Sequence, residues 1–145
     1  GDTSGMYHGT QQINQGQMDR WNIVSSLNYL PEDKELEIIS SKTKPFIENF
    51  EKEKLLFMIN IANLTRTGFK NGDISTVMSP RTIITWAENA VIFKDIQYAF
   101  KVTFLNKCDE AERPIIAEYY QRCFSEELPN SWVNIINEKT SLLDE

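Results

Sequence analysis

The sequence predicts a mainly α-helical fold with a single β-strand near its N-terminus. In the later part of the chain, apolar residues recur at helical spacing, and signals such as Ser79-Pro80 and Gly72 mark helix boundaries. Only Trp21–Leu30 is rich in β-forming residues with partial alternation. Because a lone strand cannot satisfy its own backbone hydrogen bonds, it needs a sheet supplied by residues outside this chain or by a partner chain.

Before that strand, the sequence predicts a loop and a weak helix. Gly1–Gly9 is polar and glycine-rich without a helix-start signal, and its abrupt beginning suggests a chain cut inside a larger domain. Gln11–Asp19 is weakly helical, with Ile13 and Met18 as its apolar contacts and Gly16 weakening it.

After the strand, a short helix is predicted. Pro31 opens it, and it runs from Glu32 to about Ser41 with acidic residues in its first turn, as the helix dipole prefers. A charged stretch, Lys42–Lys54, follows, in which Glu48 and Lys52 are spaced as an i,i+4 pair.

Four more amphipathic helices are predicted, each with an apolar stripe. The first ends near Asn71-Gly72 and carries Leu55, Leu56, Met58, Ile59, Ala62 and Leu64. The second is capped by Ser79, has Pro80 at its first position, and carries Ile83, Ile84, Ala87, Ala90 and Val91. The third contains Ile96, Ala99, Phe100 and Phe104, and the fourth, Asp109–Phe124, contains Ile115, Ile116, Tyr119 and Tyr120. Pro129 marks its end, and the tail Asn130–Glu145 includes a weak helix around Trp132–Ile136.

Composition and charge exclude several classes of function. With 145 residues, of which 41% are hydrophobic, the chain suffices for one domain that buries roughly 70% of its unfolded surface. The net charge is −6 and the basic residues are scattered, so no cationic face for nucleic acid is expected. Apolar stretches are short and the N-terminus has no apolar signal region, so neither a membrane span nor a signal peptide is expected.

The cysteines predict reduced thiols in a cytoplasmic protein. Cys108 and Cys123 would lie roughly 22 Å apart along a continuous helix, too far for a disulfide. Histidines do not cluster with them, so a zinc site is not expected. The sole histidine, His8, lies beside Tyr7 in a glycine-flanked loop and is interpreted as a loop residue with a local hydrogen bond.

Arg81 is the stronger candidate for chemistry. With Ser79 as the N-cap and Pro80 as the first helical residue, Arg81 occupies the second helical position. The helix dipole disfavours a cation there, so helix propensity does not explain the arginine. An anion at this helix end would attract both the free backbone N–H groups and the guanidinium. The alternative is an arginine paired with a nearby Asp or Glu, and these residues alone do not separate the two.

Arg20 is the second candidate, at the junction between the weak helix and the strand. Compensation of the helix dipole explains a basic residue there, and on these grounds alone that explanation is preferred. The junction would also let Arg20 project to a subunit boundary and stabilise transition-state charge on a neighbour's γ-phosphate, as arginine fingers do. Asp109, Glu110, Glu112 and Arg113 are interpreted as a solvated first turn rather than a metal site, and Trp86 as core or the edge of an inter-domain contact.

Three long segments resemble the small AAA+ ATPase subunit of aerobic, ATP-dependent cobaltochelatases. They are Gly1–Trp21, which contains Gln-Met-Asp-Arg, Asn71–Thr82, which contains Ser-Pro-Arg, and Thr103–Glu110. The resemblance continues to about Leu128, whereas the charged stretch and the tail after Pro129 diverge from it.

The resemblance implies a C-terminal part of such a subunit, in which residues 1–30 end an α/β AAA+ core, 31–128 form the all-α lid domain and 129–145 a tail. The segments that bind most of ATP and Mg²⁺ would precede Gly1, so the chain alone is expected to lack ATPase activity. Arg20 matches the arginine finger that acts in trans, which overturns the dipole explanation, and Arg81 matches the sensor-2 residue that touches the γ-phosphate.

The implied activity is ATP hydrolysis in a homo-oligomeric, hexameric ring that drives a large partner subunit to insert cobalt into a corrin ring during cobalamin biosynthesis. Metal and tetrapyrrole would bind the partner. Two alternatives stay open: a related ring ATPase of the MoxR type that remodels another protein client, and a stand-alone helical interaction module.

Overall fold

The computed structural model describes residues 30–134, and within this range every regular element is helical. The α-helices are α1 (Glu32–Lys42), α2 (Lys44–Phe50), α3 (Lys52–Asn71), α4 (Pro80–Phe93), α5 (Ile96–Thr103), α6 (Arg113–Phe124) and α7 (Asn130–Val133), and single 3-10 turns occupy Leu105–Lys107 and Glu110–Glu112. The predicted mainly α class is confirmed. The predicted N-terminal loop, weak helix and strand lie outside the described residues, except that Leu30 is irregular and exposed.

The first helix agrees with the prediction, but the charged stretch after it does not. Helix α1 begins directly after Pro31 with acidic residues in its first turn. The charged stretch contains α2, which has Pro45 in its first turn and buries Phe46. Between α2 and α3, Glu51 has a φ of 88°, so the chain leaves helical geometry there. Glu48 and Lys52 therefore lie on different helices, and the predicted i,i+4 pair is wrong.

Helix α3 is the longest described helix and ends where the sequence predicts. Gly72 adopts the left-handed conformation, with a φ of 84°, and its N–H is directed to the carbonyls of Gly68 and Phe69. Leu55, Met58, Ile59 and Ala62 of the predicted stripe are fully buried, whereas Leu56 and Leu64 are half-buried. Ile61, Thr65 and Arg66 are also buried, which the apolar pattern did not indicate.

An aromatic cluster from α4, α5 and α6 forms the centre of the core. The ring of Trp86 lies 4.8 Å from that of Phe100, centroid to centroid. Phe100 in turn lies 5.0 Å from Tyr120, which stacks on Phe124 at 4.5 Å. Trp86 is fully buried, and its indole N–H donates to the carbonyl of Ile96 at 3.0 Å. Of the two interpretations of Trp86, the structure therefore supports the core.

The last two helices begin at positions that differ from the prediction. The predicted helix Asp109–Phe124 is divided into a 3-10 turn and α6, because Pro114 favours the first turn of a helix over its interior. Helix α7 begins directly after Pro129, two residues before the predicted weak helix. Val133 is buried against the bundle.

Candidate functional site

The start of α4 presents Arg81 from a capped helix end. The Ser79 hydroxyl accepts a hydrogen bond from the N–H of Thr82 at 3.2 Å, and the Ser79 carbonyl accepts one from the N–H of Ile83 at 3.1 Å. Pro80 occupies the first helical position. The predicted cap is confirmed, and Arg81 is the second helical residue.

Arg81 is exposed, and it has no hydrogen bond or ion pair with any residue between 30 and 134. The alternative in which a nearby Asp or Glu neutralises it is therefore not realised within this range. The expected set of free N–H groups is smaller than the sequence suggested. Pro80 has none, and those of Thr82 and Ile83 are used by the cap, so the N–H of Arg81 itself remains. An anion at this helix end would depend mainly on the guanidinium.

The loop before α4 is held by side chains from distant parts of the chain. The N–H and the hydroxyl of Ser75 both donate to one carboxylate oxygen of Glu112, at 2.8 and 2.9 Å. Further along, the buried N–H of Met78 donates to the Thr65 hydroxyl at 3.0 Å, and the Met78 carbonyl accepts from Nε of Arg66, also at 3.0 Å. The path from α3 to Arg81 is therefore closely constrained.

Arg66 is itself held by a buried ion pair. Its two terminal nitrogens lie 2.8 and 2.7 Å from the two carboxylate oxygens of Glu35 on α1. The side chains are 6% and 2% exposed. Such a bidentate, charge-assisted pair has a defined geometry as well as strength. Sequence reasoning missed it, since nothing in the local pattern links residues so far apart.

The acidic turn before α6 is only in part the solvated feature that the sequence predicted, since Asp109 is exposed but Arg113 is buried. Glu112 is half-buried and binds Ser75, as described above. Arg113 is only 6% exposed, and its terminal nitrogens donate to the carbonyls of Trp132 and Asn106 at 3.4 and 3.3 Å. The interpretation as a solvated turn is wrong for Arg113, which attaches the segment containing α7 to the start of α6. Between residues 30 and 134, His, Cys, Asp and Glu do not form a group of three or more suited to a metal ion.

Both cysteines are free thiols. Burial raises the pKa of Cys108 to about 12, although the Arg113 guanidinium and a hydrogen bond with Thr76 oppose this increase. Burial also raises the pKa of Cys123, which is half-buried. None of the helices in the described range is long and apolar enough to span a membrane. Arg20 and His8 lie outside the described residues.

The all-helical fold of residues 30–134 fits the all-α lid domain of an AAA+ protein. The chain is 61% identical, over 141 residues, to the aerobic cobaltochelatase subunit CobS of a Sinorhizobium species. The aligned region covers 97% of this chain and 42% of that protein, so the chain spans less than half of the length of its relative. The resemblance predicted from the three motifs is confirmed. No family model and no solved structure matches the chain.

Proposed function

We propose that the chain is the C-terminal part, with the lid domain, of an AAA+ subunit of an aerobic cobaltochelatase, and that this subunit hydrolyses ATP. The observation that carries this proposal is the 61% identity to an aerobic cobaltochelatase subunit across 97% of the chain. The all-α fold and the exposed Arg81 are what a lid domain with a phosphate-sensing arginine requires. The described residues fit one part of an ATP site only. Arg81 can meet a phosphate, whereas Mg²⁺ and the α- and β-phosphates need residues that would precede Gly1.

In this proposal Arg81 is the sensor-2 residue, and its guanidinium contacts the γ-phosphate of bound ATP. A guanidinium offers several N–H donors in a planar fork, which suits phosphate oxygens. Its charge would stabilise the negative charge that builds up as the terminal phosphoryl group transfers to water. Arg20 would supply a second positive charge to the nucleotide of the neighbouring subunit, as an arginine finger in trans.

At the scale of the assembly, a homo-oligomeric, hexameric ring in the cytoplasm would couple hydrolysis to a large partner subunit. Cobalt is then cargo that the partner inserts into the corrin ring during cobalamin biosynthesis. The free thiols of Cys108 and Cys123 fit a reducing compartment. Residues 1–30 would end the AAA+ core, 31–128 would form the lid and 129–145 the tail.

The test uses the full-length subunit and three arginine substitutions. We expect Arg81→Ala and Arg20→Ala each to lower the kcat of ATP hydrolysis by about 10²-fold or more, because each removes a donor to the charge that develops on the γ-phosphoryl group. The matched control is Arg122→Ala, which removes an exposed arginine of α6 paired with Glu118. Normal turnover in Arg81→Ala and Arg20→Ala would contradict the proposed roles.

Mixed rings test whether Arg20 acts in trans. Arg20→Ala subunits combined with subunits that cannot hydrolyse their own ATP should recover part of the activity, since an intact finger then faces an intact site. Absence of recovery would exclude the trans assignment. Binding of the ring to a large cobaltochelatase subunit tests the client separately. ATP turnover without such binding would point to a different protein client.

A further inference from the structure

We propose that Thr65 and Arg66 of α3 are positioning residues for Arg81. Together they hold both backbone polar groups of Met78 and thereby determine where α4 begins. The inference rests on the proposed contact between Arg81 and the γ-phosphate, and it names the residues that place the guanidinium for that contact.

Met78 is the point at which the loop is attached to α3. Its side chain is fully buried, and its N–H and carbonyl are bound by the side chains of two consecutive residues. Thr65 accepts from the Met78 N–H while its own hydroxyl donates to the Ala62 carbonyl at 2.7 Å. This second bond orients the hydroxyl so that a lone pair faces Met78. Because one bond holds the peptide before the Met78 Cα and the other holds the peptide after it, this part of the loop has little freedom to rotate or to slide along α3.

Arg66 links α1 to the Met78 carbonyl. Glu35 binds both terminal nitrogens of the guanidinium, and Asn63 accepts from one of them at 2.9 Å, so Nε is directed at the Met78 carbonyl. The guanidinium is rigid and planar, and holding one edge therefore fixes the direction of the other. The orientation of the donor to Met78 is determined by a carboxylate on another helix.

The attachment point lies three residues before Arg81. Ser79 follows Met78 directly and caps α4 through its hydroxyl and its carbonyl. A shift of the peptide between Met78 and Ser79 therefore moves the cap and the first turn of α4 with it. A misplacement of about 1 Å can lower a rate by about 10²-fold. A substitution at Thr65 or Arg66 that displaces Arg81 should therefore lower the rate of ATP hydrolysis.

The test is a double-mutant cycle in the full-length subunit. Thr65→Val keeps the shape of the side chain but removes the acceptor, and we expect it to lower the kcat of ATP hydrolysis by about tenfold. In an Arg81→Ala background the same change should have no further effect, because the residue through which it acts is gone. Thr65→Ser retains the hydroxyl and should keep most of the activity.

The matched control is Thr103→Val. Thr103 is a buried threonine of α5 whose hydroxyl accepts from Asn89 at 2.9 Å, away from the Met78 attachment. The Thr103→Val variant loses a comparable hydrogen bond and should leave kcat unchanged. Amide hydrogen exchange provides a second measurement that does not depend on activity. The Met78 N–H should lose its protection in Thr65→Val and keep it in Thr103→Val.

The outcomes separate this inference from the proposed function. If Arg81→Ala has no effect on hydrolysis, the proposed sensor-2 role of Arg81 fails, and the positioning inference that rests on it fails as well. If Arg81→Ala lowers kcat but Thr65→Val does not, or if the two losses multiply in the double mutant, positioning through Arg81 is overturned while the proposed function stands. Equal losses in Thr65→Val and Thr103→Val would also overturn it, since a general loss of stability would then explain both.

Discussion

At the scale of single residues, three arginines of this protein lie in different surroundings. Arg81 is exposed and has no partner between residues 30 and 134. Arg66 is buried against Glu35, and Arg113 is buried against two carbonyl groups. Position in a helix predicted the first of them, because a cation in the first turn opposes the helix dipole. The other two depend on residues that are remote in sequence.

The thiol of Cys108 leads to a prediction about pH. Its side chain is 5% exposed, and burial raises its pKa from 9.0 to about 12. Below about pH 9 the thiol is protonated in the folded and the unfolded chain, so it adds no pH dependence to the stability. Between about pH 9 and 12 the unfolded chain releases the proton and the folded chain retains it, so the contribution of this thiol to the free energy of unfolding should fall by about 1 kcal/mol per pH unit.

Urea denaturation between pH 8 and 10.5 measures this effect. Cys108→Ala is the control, since it removes the thiol but leaves the other groups that titrate in this range. The decrease in stability with pH should be smaller in the variant than in the parent protein. An equal slope in the two proteins would show that Cys108 ionises normally in the folded state.

At the scale of elements, the close approach of α3 to α6 depends on one glycine. A Cβ placed on Gly68 would meet the Tyr119 hydroxyl at less than van der Waals distance and Cγ1 of Ile74 at 3.2 Å. Helix propensity alone would favour alanine at this position by about 1 kcal/mol. The close contacts with Tyr119 and Ile74 oppose that preference.

Gly68→Ala should therefore destabilise the protein, by about 1–3 kcal/mol, as overpacking does elsewhere. Tyr119→Phe removes the atom that the new methyl group meets first. We expect it to recover part of the loss when combined with Gly68→Ala. Chemical denaturation of the two single variants and the double variant measures the coupling. If the losses of unfolding free energy in the two single variants simply add in the double variant, the Tyr119 hydroxyl is not the cause of the loss in Gly68→Ala.

At the scale of the whole molecule, two ion pairs with similar distances have different roles. Glu35–Arg66 joins α1 to α3 and to the loop before α4, with side chains that are 2% and 6% exposed. Glu118–Arg122 lies within α6, with side chains that are 52% and 56% exposed. Water and salt screen the second pair, whereas removing one partner of the first breaks a buried, bidentate interaction between two charged groups.

Glu35→Gln should accordingly cost about 3 kcal/mol or more of unfolding free energy. Glu118→Gln, the same chemical change at an exposed pair, should cost less than about 1 kcal/mol. Urea denaturation of both variants at low and at high salt checks the comparison. Similar costs for the two substitutions would contradict the role assigned to the buried pair.

Local rules predicted most of the helices, but not all of their limits. Ser79-Pro80 and Gly72 predicted boundaries that the structure confirms, because caps and left-handed turns depend on a few adjacent residues. Helix α2 was missed, since Lys42–Lys54 is charged and its break at Glu51 requires a positive φ in a residue other than glycine. Helix α6 begins later than the apolar pattern predicts, because Pro114 favours the first turn of a helix over its interior.

What the sequence determined by itself was the helical class, the position of Arg81 at a capped helix start and the resemblance to a cobaltochelatase subunit. All three depend on short or contiguous runs of residues. Only the tertiary structure decided which polar groups are buried and what holds them. Glu35 and Arg66 are 31 residues apart, and Ser75 and Glu112 are 37 apart. A hydrogen bond requires two groups at a defined distance and angle, and only the packing of the helices brings such distant residues together.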